Sequence, residues 1–285
     1  MSVVVPVRNE RRHLPDQLQA LARQDYAGAW EVVVVDDGSS DGSCDVARSF
    51  ADRLPALRVI TLPERRGLNH ARNAGVAAAE GEVVAFCDAD DVAVPGWLTA
   101  LVEALGDDTD VVGGHLDLET LNDELQRSWR NKRPWIEKRL ANGFLEYVPG
   151  GNCALRTELA RELRWDERFL FGSSDAEFSW RAQHLGLRVA LAEDAVVAVR
   201  FPETLGELAR QFYGYGSGEP LLYRRERGRG WPRSDTRKAL REWGWLALHL
   251  PDLVRSPQRR GWWVRLAAQR AGRLRGSLRA RVLYL

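Results

Sequence analysis

The feature that most constrains this chain is an alternation of two hydrophobic periods near its start. Val3–Val7, Trp30–Val35, Leu57–Leu62 and Val83–Cys87 are short runs rich in β-branched residues and read as buried strands. Between them Leu14, Leu18 and Leu21 recur at helical spacing. Val46, Ala47, Phe50 and Leu54 share a second helix face, and Leu68–Ala79 reads as a third helix. Pro95 opens a fourth, with Leu98, Leu101, Val102 and Leu105 in one apolar stripe. This order predicts an α/β fold with a mainly parallel sheet flanked by helices. Ligands of such sheets gather at the carboxyl ends of the strands. Arg8-Asn9-Glu10, Asp36-Asp37 and Asp88–Asp91 all fall at those ends.

The pattern turns irregular after Val111-Val112. Residues 122–147 are charged and carry Trp129 and Trp135, and Gly150-Gly151-Asn152 reads as a turn or a point of close backbone approach. Gly172-Ser173-Ser174-Asp175 looks like a helix start with a serine cap, running to about His184. Val189–Ala192 and Ala195–Val199 read as two short strands, and from Thr204 the chain reads as helical with a break at Arg224–Pro232.

Several classes are excluded by what is missing. The first turn has no glycine, so it is no dinucleotide fingerprint, and neither a P-loop nor a GxSxG elbow occurs. Cys44, Cys87 and Cys153 are scattered without a CxxC pair, which disfavours structural zinc and suits a reducing compartment. No signal peptide and no run of 18 apolar residues is found, so a cytoplasmic protein is expected.

Asp88-Ala89-Asp90 follows an apolar strand. Paired carboxylates there can share Mg²⁺ or Mn²⁺, or simply cap a turn. Asp36-Asp37-Gly38-Ser39 is either an Asx turn or a carboxylate that accepts from a nucleobase N–H.

Together these segments closely resemble family 2 glycosyltransferases, the nucleotide-sugar-dependent class with the GT-A fold. SVVVPVRNE (2–10), VVVVDDGSSDGS (32–43), GLNHARNAG (67–75), FCDADD (86–91), GGN (150–152) and DAEFSWRAQHLG (175–186) match its motifs in order. The resemblance covers roughly residues 2–216 and implies a catalytic domain over 1–216. Its Rossmann-like donor half would span about 1–114 and its acceptor half about 115–216. It implies that Pro6, Arg8 and Glu10 line the nucleoside pocket and that Asp37 meets the base. Arg72 would lie near the donor or brace the site. Asp88 would contact the donor sugar or ribose, Asp88 and Asp90 would hold a divalent cation (Mg²⁺ or Mn²⁺), and Asp175 would be the general base of an inverting displacement. Gly150, Gly151, Asn152 and Trp180 would lie on the acceptor side, with Trp180 either a sugar platform or core. Many members carry a His after the final strand, where this chain has Val199-Arg200. Arg200 could take over part of a cation's work by pairing with diphosphate. Glu177 either raises the pKa of Asp175 or caps its own helix.

The C-terminal segment differs in kind. The formal net charge of +1 hides a division: residues 1–209 hold 23 Lys and Arg against 35 Asp and Glu, and residues 210–285 hold 18 against 5. Near-neutrality overall argues against a nucleic-acid partner. Residues 217–285 read as a basic, Trp-rich helical extension. Within it Trp263, Ala267, Ala271, Leu274, Leu278, Val282 and Leu285 fall on one face among arginines. Two readings fit: residues 255–285 lie on an anionic membrane surface, or they dock on protein. Gly272 and Gly276 weaken the helix and favour ordering on contact. The expected partners are a nucleotide-sugar donor and a glycan or lipid-linked acceptor, as for a polysaccharide precursor made at the inner face of the membrane. Two other readings remain: a soluble metabolite or peptide as acceptor, or a binding module without turnover.

Overall fold

A computed structural model describes residues 1–130, 144–170 and 172–285. Among the described residues the strands are β1 (Ser2–Val7), β2 (Glu31–Asp36), β3 (Leu57–Thr61), β4 (Val83–Cys87), β5 (Val92–Ala93), β6 (Val111–Asp117), β7 (Asn152–Arg156) and β8 (Val189–Ala198). The α-helices are α1 (Leu14–Leu21), α2 (Ser43–Arg48), α3 (Leu68–Ala78), α4 (Trp97–Ala104), α5 (Glu124–Ser128), α6 (Thr157–Leu163), α7 (Ser174–His184), α8 (Leu205–Glu226), α9 (Thr236–Leu248), α10 (Asp252–Arg255) and α11 (Pro257–Ala280). They fall into two compact units. The first comprises Met1–Thr120, the described part of 135–167, and Asp175–Arg200; the second comprises the described part of 121–134, 168–174, and Phe201–Leu285.

The first unit holds one eight-stranded sheet, in the order β3-β2-β1-β4-β7-β6-β8-β5. β3, β2, β1 and β4 run parallel, as the alternation predicts. β7 enters antiparallel between β4 and β6. Every residue of β1 and β2 is buried, which explains their unbroken valine runs: both faces of these strands are covered. Leu14, Leu18 and Leu21 of α1 are wholly buried on one side of the sheet. Val76 of α3, with Phe86, Trp165 and Phe178, fills the other. The two expected strands at 189–199 are one strand, β8, and its pairing with β6 shifts register between Gly114 and His115.

The second unit is helical. α11 runs unbroken over 24 residues. Gly272 and Gly276 do not loosen it: they are where it packs on α8. A Cβ on Gly272 would strike the Tyr213 carbonyl oxygen, one on Gly276 that of Ser217, and one on Gly216 of α8 that of Gln269. The expected apolar face is turned elsewhere, with Leu278 81% exposed and Leu274 also exposed, because the glycine face allows the closer backbone approach. The expected boundary at 216 falls inside α8.

Candidate functional site

The ends of β1 and β2 are stitched together. Asn9 takes a positive φ of 55°, its N–H donates to Ser39 Oγ, and its Oδ1 accepts from Ser40 N–H, both at 2.9 Å. Glu10 N–H donates to Ser43 Oγ at 2.9 Å. Pro6 is buried within β1 while Arg8, just beyond it, is exposed. Asp37 is buried and accepts from the backbone N–H groups of Arg66 (2.8 Å) and Gly67 (2.9 Å). Those bonds fix the loop that leads into α3, and an ionised carboxylate retains acceptor capacity beyond them.

The Asp88–Asp91 turn is held from two directions. Gln17 of α1 donates to the Asp88 carbonyl (3.2 Å) and accepts from Ala93 N–H (3.0 Å), clasping both sides of the turn. Nothing but a polar residue inside the Leu14-Leu18-Leu21 stripe signals this in the sequence. Asp91 is buried and accepts from Arg200 N–H at 2.9 Å. Burial, and then the charges of Asp90 and Asp88, raise its carboxyl well above the carboxylate range. Asp90 is pushed up to about 7 by burial first, then by Asp88 and Glu10. Arg200 does not reach out from the turn. Its Nε donates to the Asp90 carbonyl and its Nη2 pairs with Asp16, both at 3.1 Å.

On the other side of Asp88 lies Arg72, buried in α3. Its Nη2 meets Asp88 Oδ1 at 3.1 Å and its guanidinium stacks 4.5 Å from the Trp165 ring centre. Its Nε and Nη1 are buried without a hydrogen-bond partner. Gly150 closes this group, since a Cβ there would stand 2.7 Å from Arg72 Nη1 and 2.8 Å from Asp175 Oδ1. One on Gly151 would strike the Asp88 carboxylate. The glycine pair thus lets the backbone pass between Arg72, Asp88 and Asp175. Cys153 lies under the same three groups, and burial pushes its thiol up to about 12, so it stays protonated.

Two of the acceptor-side residues are structural anchors. Asn152 is wholly buried, donates to the carbonyls of His115 and Ala195 at 2.9 Å, and accepts from Trp97 Nε1 at 2.8 Å. Trp180 is wholly buried and donates to the Leu145 carbonyl at 2.8 Å, so no ring face is open to a sugar. Trp129 is likewise core, in the second unit, and donates to the Pro257 carbonyl. Trp135 lies outside the described residues. Glu177 does not stand as a bare charge beside Asp175. It pairs with Arg181 one turn on, at 2.7 Å.

The ends of β1, β2 and β4 thus carry an ordered array around Asp88, and comparison with known proteins decides the family. The description "Glycosyl transferase family 2" matches residues 2–164. The chain belongs to glycosyl transferase family 2. This family 2 chain is 26% identical to Glycosyltransferase AglE of Haloferax volcanii over 80% of its own length and 75% of that protein's. It is 37% identical to an undecaprenyl-phosphate 4-deoxy-4-formamido-L-arabinose transferase of Edwardsiella ictaluri, over 55% of this chain and 48% of that one. Apart from AglE, the chain spans about half or less of the curated relatives it first matches. Among solved structures, a mannosyltransferase of Pyrobaculum calidifontis in complex with GDP-Man and Mn²⁺ superposes with a TM-score of 0.67. It is 20% identical, over 96% of this chain and 86% of that one. S. aureus TarS 1–349 with UDP-GlcNAc gives 0.53 at 18% identity, over 100% and 93%. These likenesses establish the GT-A fold, and family membership makes the protein a glycosyltransferase.

Proposed function

We propose that the protein transfers a sugar, with inversion, from a nucleotide-sugar donor to a hydroxyl or phosphate oxygen of a lipid-linked or polysaccharide precursor. The observation that carries this reading is the convergence of Arg72 and Asp175 on Gly150, and of Asp88 on Gly151, at the ends of the strands. Pro6, Arg8, Glu10 and Asp37 receive the nucleoside at the neighbouring ends of β1 and β2. Asp175 takes the proton of an acceptor hydroxyl as the hydroxyl oxygen attacks the anomeric carbon; an acceptor phosphate oxygen is already ionised and attacks without a base. The bond to the donor's diphosphate oxygen breaks on the opposite face, and nucleoside diphosphate leaves with that electron pair. The two unpartnered nitrogens of Arg72 offer donors to developing negative charge.

Among the described residues no group of three or more acidic, His or Cys side chains forms a metal cage. Asp88 and Asp90 still fit a hard cation, because Mg²⁺ or Mn²⁺ is commonly held by one or two carboxylates and completed by substrate phosphates. Burial first, and then the charges of Asp88 and Glu10, raise Asp90, and such an ion would offset both. When bound, it would offset charge on the departing diphosphate.

The acceptor class is supported by the second unit. Residues 210–285 are strongly basic, and Leu248 and Val254 within them are about 80% exposed, as in a segment that lies on an anionic membrane face. No helix among the described residues is long and apolar enough to cross a membrane. Release of nucleoside diphosphate from a panel of UDP-, GDP- and dTDP-sugars, with Mg²⁺ or Mn²⁺ and a polyprenyl phosphate, tests the proposal. Turnover of one donor supports it. Binding without release in any combination, acceptors varied, would leave a binding module instead.

A further inference from the structure

The second unit contains a pair of arginines that its fold does not neutralise. Two of its other inward-facing arginines have carboxylates: Arg270 pairs with Glu242, and Arg273 with Glu219. Among the described residues, no carboxylate lies within salt-bridge distance of Arg130, just after α5, or of Arg265, on α11. Both are half-buried, and the Nε of each is buried without a hydrogen-bond partner. They share one ring: the Phe212 centroid lies 5.8 Å from the Arg130 guanidinium and 5.2 Å from that of Arg265. Phe201 lies 4.2 Å from Arg130, and Trp262 lies 5.3 Å from Arg265 and is 43% exposed. One polar partner is seen on the pair: Arg130 Nη2 donates to Gln211 Oε1 at 2.6 Å.

Two like charges gathered at one ring oppose each other. Burial first, then the charge of Arg130, lowers the Arg265 guanidinium from its ordinary range. Cation–π stacking offsets part of that cost but supplies no counter-charge. A group that does is a dianion with several oxygens, because planar guanidinium forks bind phosphate bidentately. The collar of Phe201, Phe212 and Trp262 is apolar and opens at Trp262, which suits a phosphate carried on a hydrocarbon chain better than a free ion.

We propose that Arg130 and Arg265, with Phe201, Phe212 and Trp262 around them, form a binding site for the phosphate group of an isoprenoid-type lipid phosphate. This deepens the reading of a lipid-linked acceptor and rests on it only for the biological role, since binding is measured without donor. The same phosphate chemistry occurs on glycerolipid headgroups and as inorganic phosphate, and the test separates them.

Calorimetric titration of the full chain with farnesyl phosphate, farnesol and inorganic phosphate is the experiment. Saturable binding of farnesyl phosphate is expected, at least about tenfold tighter than farnesol or phosphate alone. Arg130→Gln with Arg265→Gln should weaken it at least about tenfold and leave nucleotide binding intact, while Arg233→Gln, an exposed control, should change nothing. A second readout needs no variant: farnesyl phosphate should protect Arg130 and Arg265, but not Arg233, from phenylglyoxal. Equal binding by wild type and double variant, or absence of protection, overturns the site. Loss of retention on phosphatidylglycerol vesicles with unchanged farnesyl phosphate binding assigns it to glycerolipid headgroups and overturns the isoprenoid source. Turnover with a donor and another acceptor, without farnesyl phosphate binding, would sink this site and leave glycosyl transfer standing.

Discussion

The two compact units answer their buried charges differently. In the first, inward carboxylates are tied to the backbone. Asp36 accepts from Ser39 N–H, Asp37 from Arg66 and Gly67, Asp91 from Arg200, and Glu31 from Glu80. Each such carboxylate sets a loop at a strand terminus, so the acid is part of the architecture that presents the site. In the second, buried Glu226 and Asp252 are answered by arginine side chains, and the other inward charges are guanidiniums on or beside long helices. Arg270 and Arg273 meet carboxylate side chains, and among the described residues Arg130 and Arg265 meet no acid. Backbone-bound charge is already compensated and rigid, whereas the uncompensated charge is what a ligand can answer. Arg72 is the exception in the first unit, with two nitrogens left over beside Asp88.

The sharpest test of this contrast is at Asp175. If the first unit holds a prearranged site, Asp175→Asn should lower turnover by roughly 10²–10⁴-fold, the usual worth of a positioned base. Nucleotide affinity should stay near wild type by calorimetry. Wild-type turnover with an intact donor site would remove Asp175 from the mechanism.

A smaller effect is expected in the helical unit, and it concerns packing rather than charge. Gly272→Ala puts a methyl group against the Tyr213 carbonyl of α8. Backbone cannot yield as a flexible side chain would, so the helix pair should lose about 1–3 kcal/mol. Thermal melting followed by helical circular dichroism reads this directly. An unchanged midpoint would mean that α8 and α11 are not held by that close approach.

Next in size is the acid response of the first unit. Glu31 accepts from Ser2 Oγ at 2.6 Å and from Glu80 N–H at 2.9 Å, and pairs with Arg58 at 2.8 Å. Burial pulls its carboxyl up, but these bonds outweigh it and hold the carboxyl below the ordinary range. The folded state therefore binds this proton less readily than the unfolded chain. The resulting stability is present above the ordinary carboxylate range and is lost as pH falls through the lowered one. Glu31→Gln should cost about 1–2 kcal/mol at neutral pH. That deficit should shrink as melts are run from pH 6 towards pH 3, and a deficit that does not change with pH would contradict the assignment.

What the sequence disclosed follows the same division between local and distant causes. β1 to β4 and the three strand-end clusters were legible because valine runs and turn residues encode them within a few positions. β7 was not, since its place between β4 and β6 is fixed by partners far along the chain. Asp88, Asp175 and Arg72 could be named from motif resemblance. That Arg72 stacks on Trp165, and that Trp180 and Asn152 are anchors, depends on contacts that no spacing reveals. In the tail the arginine-rich helices were visible, but glycines read as weak points are its closest packing positions. A glycine's role depends on what faces it, and the sequence does not say.

That last point yields the smallest prediction and the cleanest check on the packing argument, because it reverses the sign. Gly244 lies inside α9, exposed, and a Cβ there would meet no atom within 4 Å. Nothing opposes the helix propensity of alanine at this position, and alanine also restricts the unfolded chain. Gly244→Ala should therefore stabilise by about 0.5–1 kcal/mol. The same substitution at Gly272 gains the same propensity and loses more to the Tyr213 carbonyl. If both variants shifted the melting midpoint in the same direction, propensity alone would govern the helices of this unit, and the close contact of α8 with α11 would carry no energetic weight.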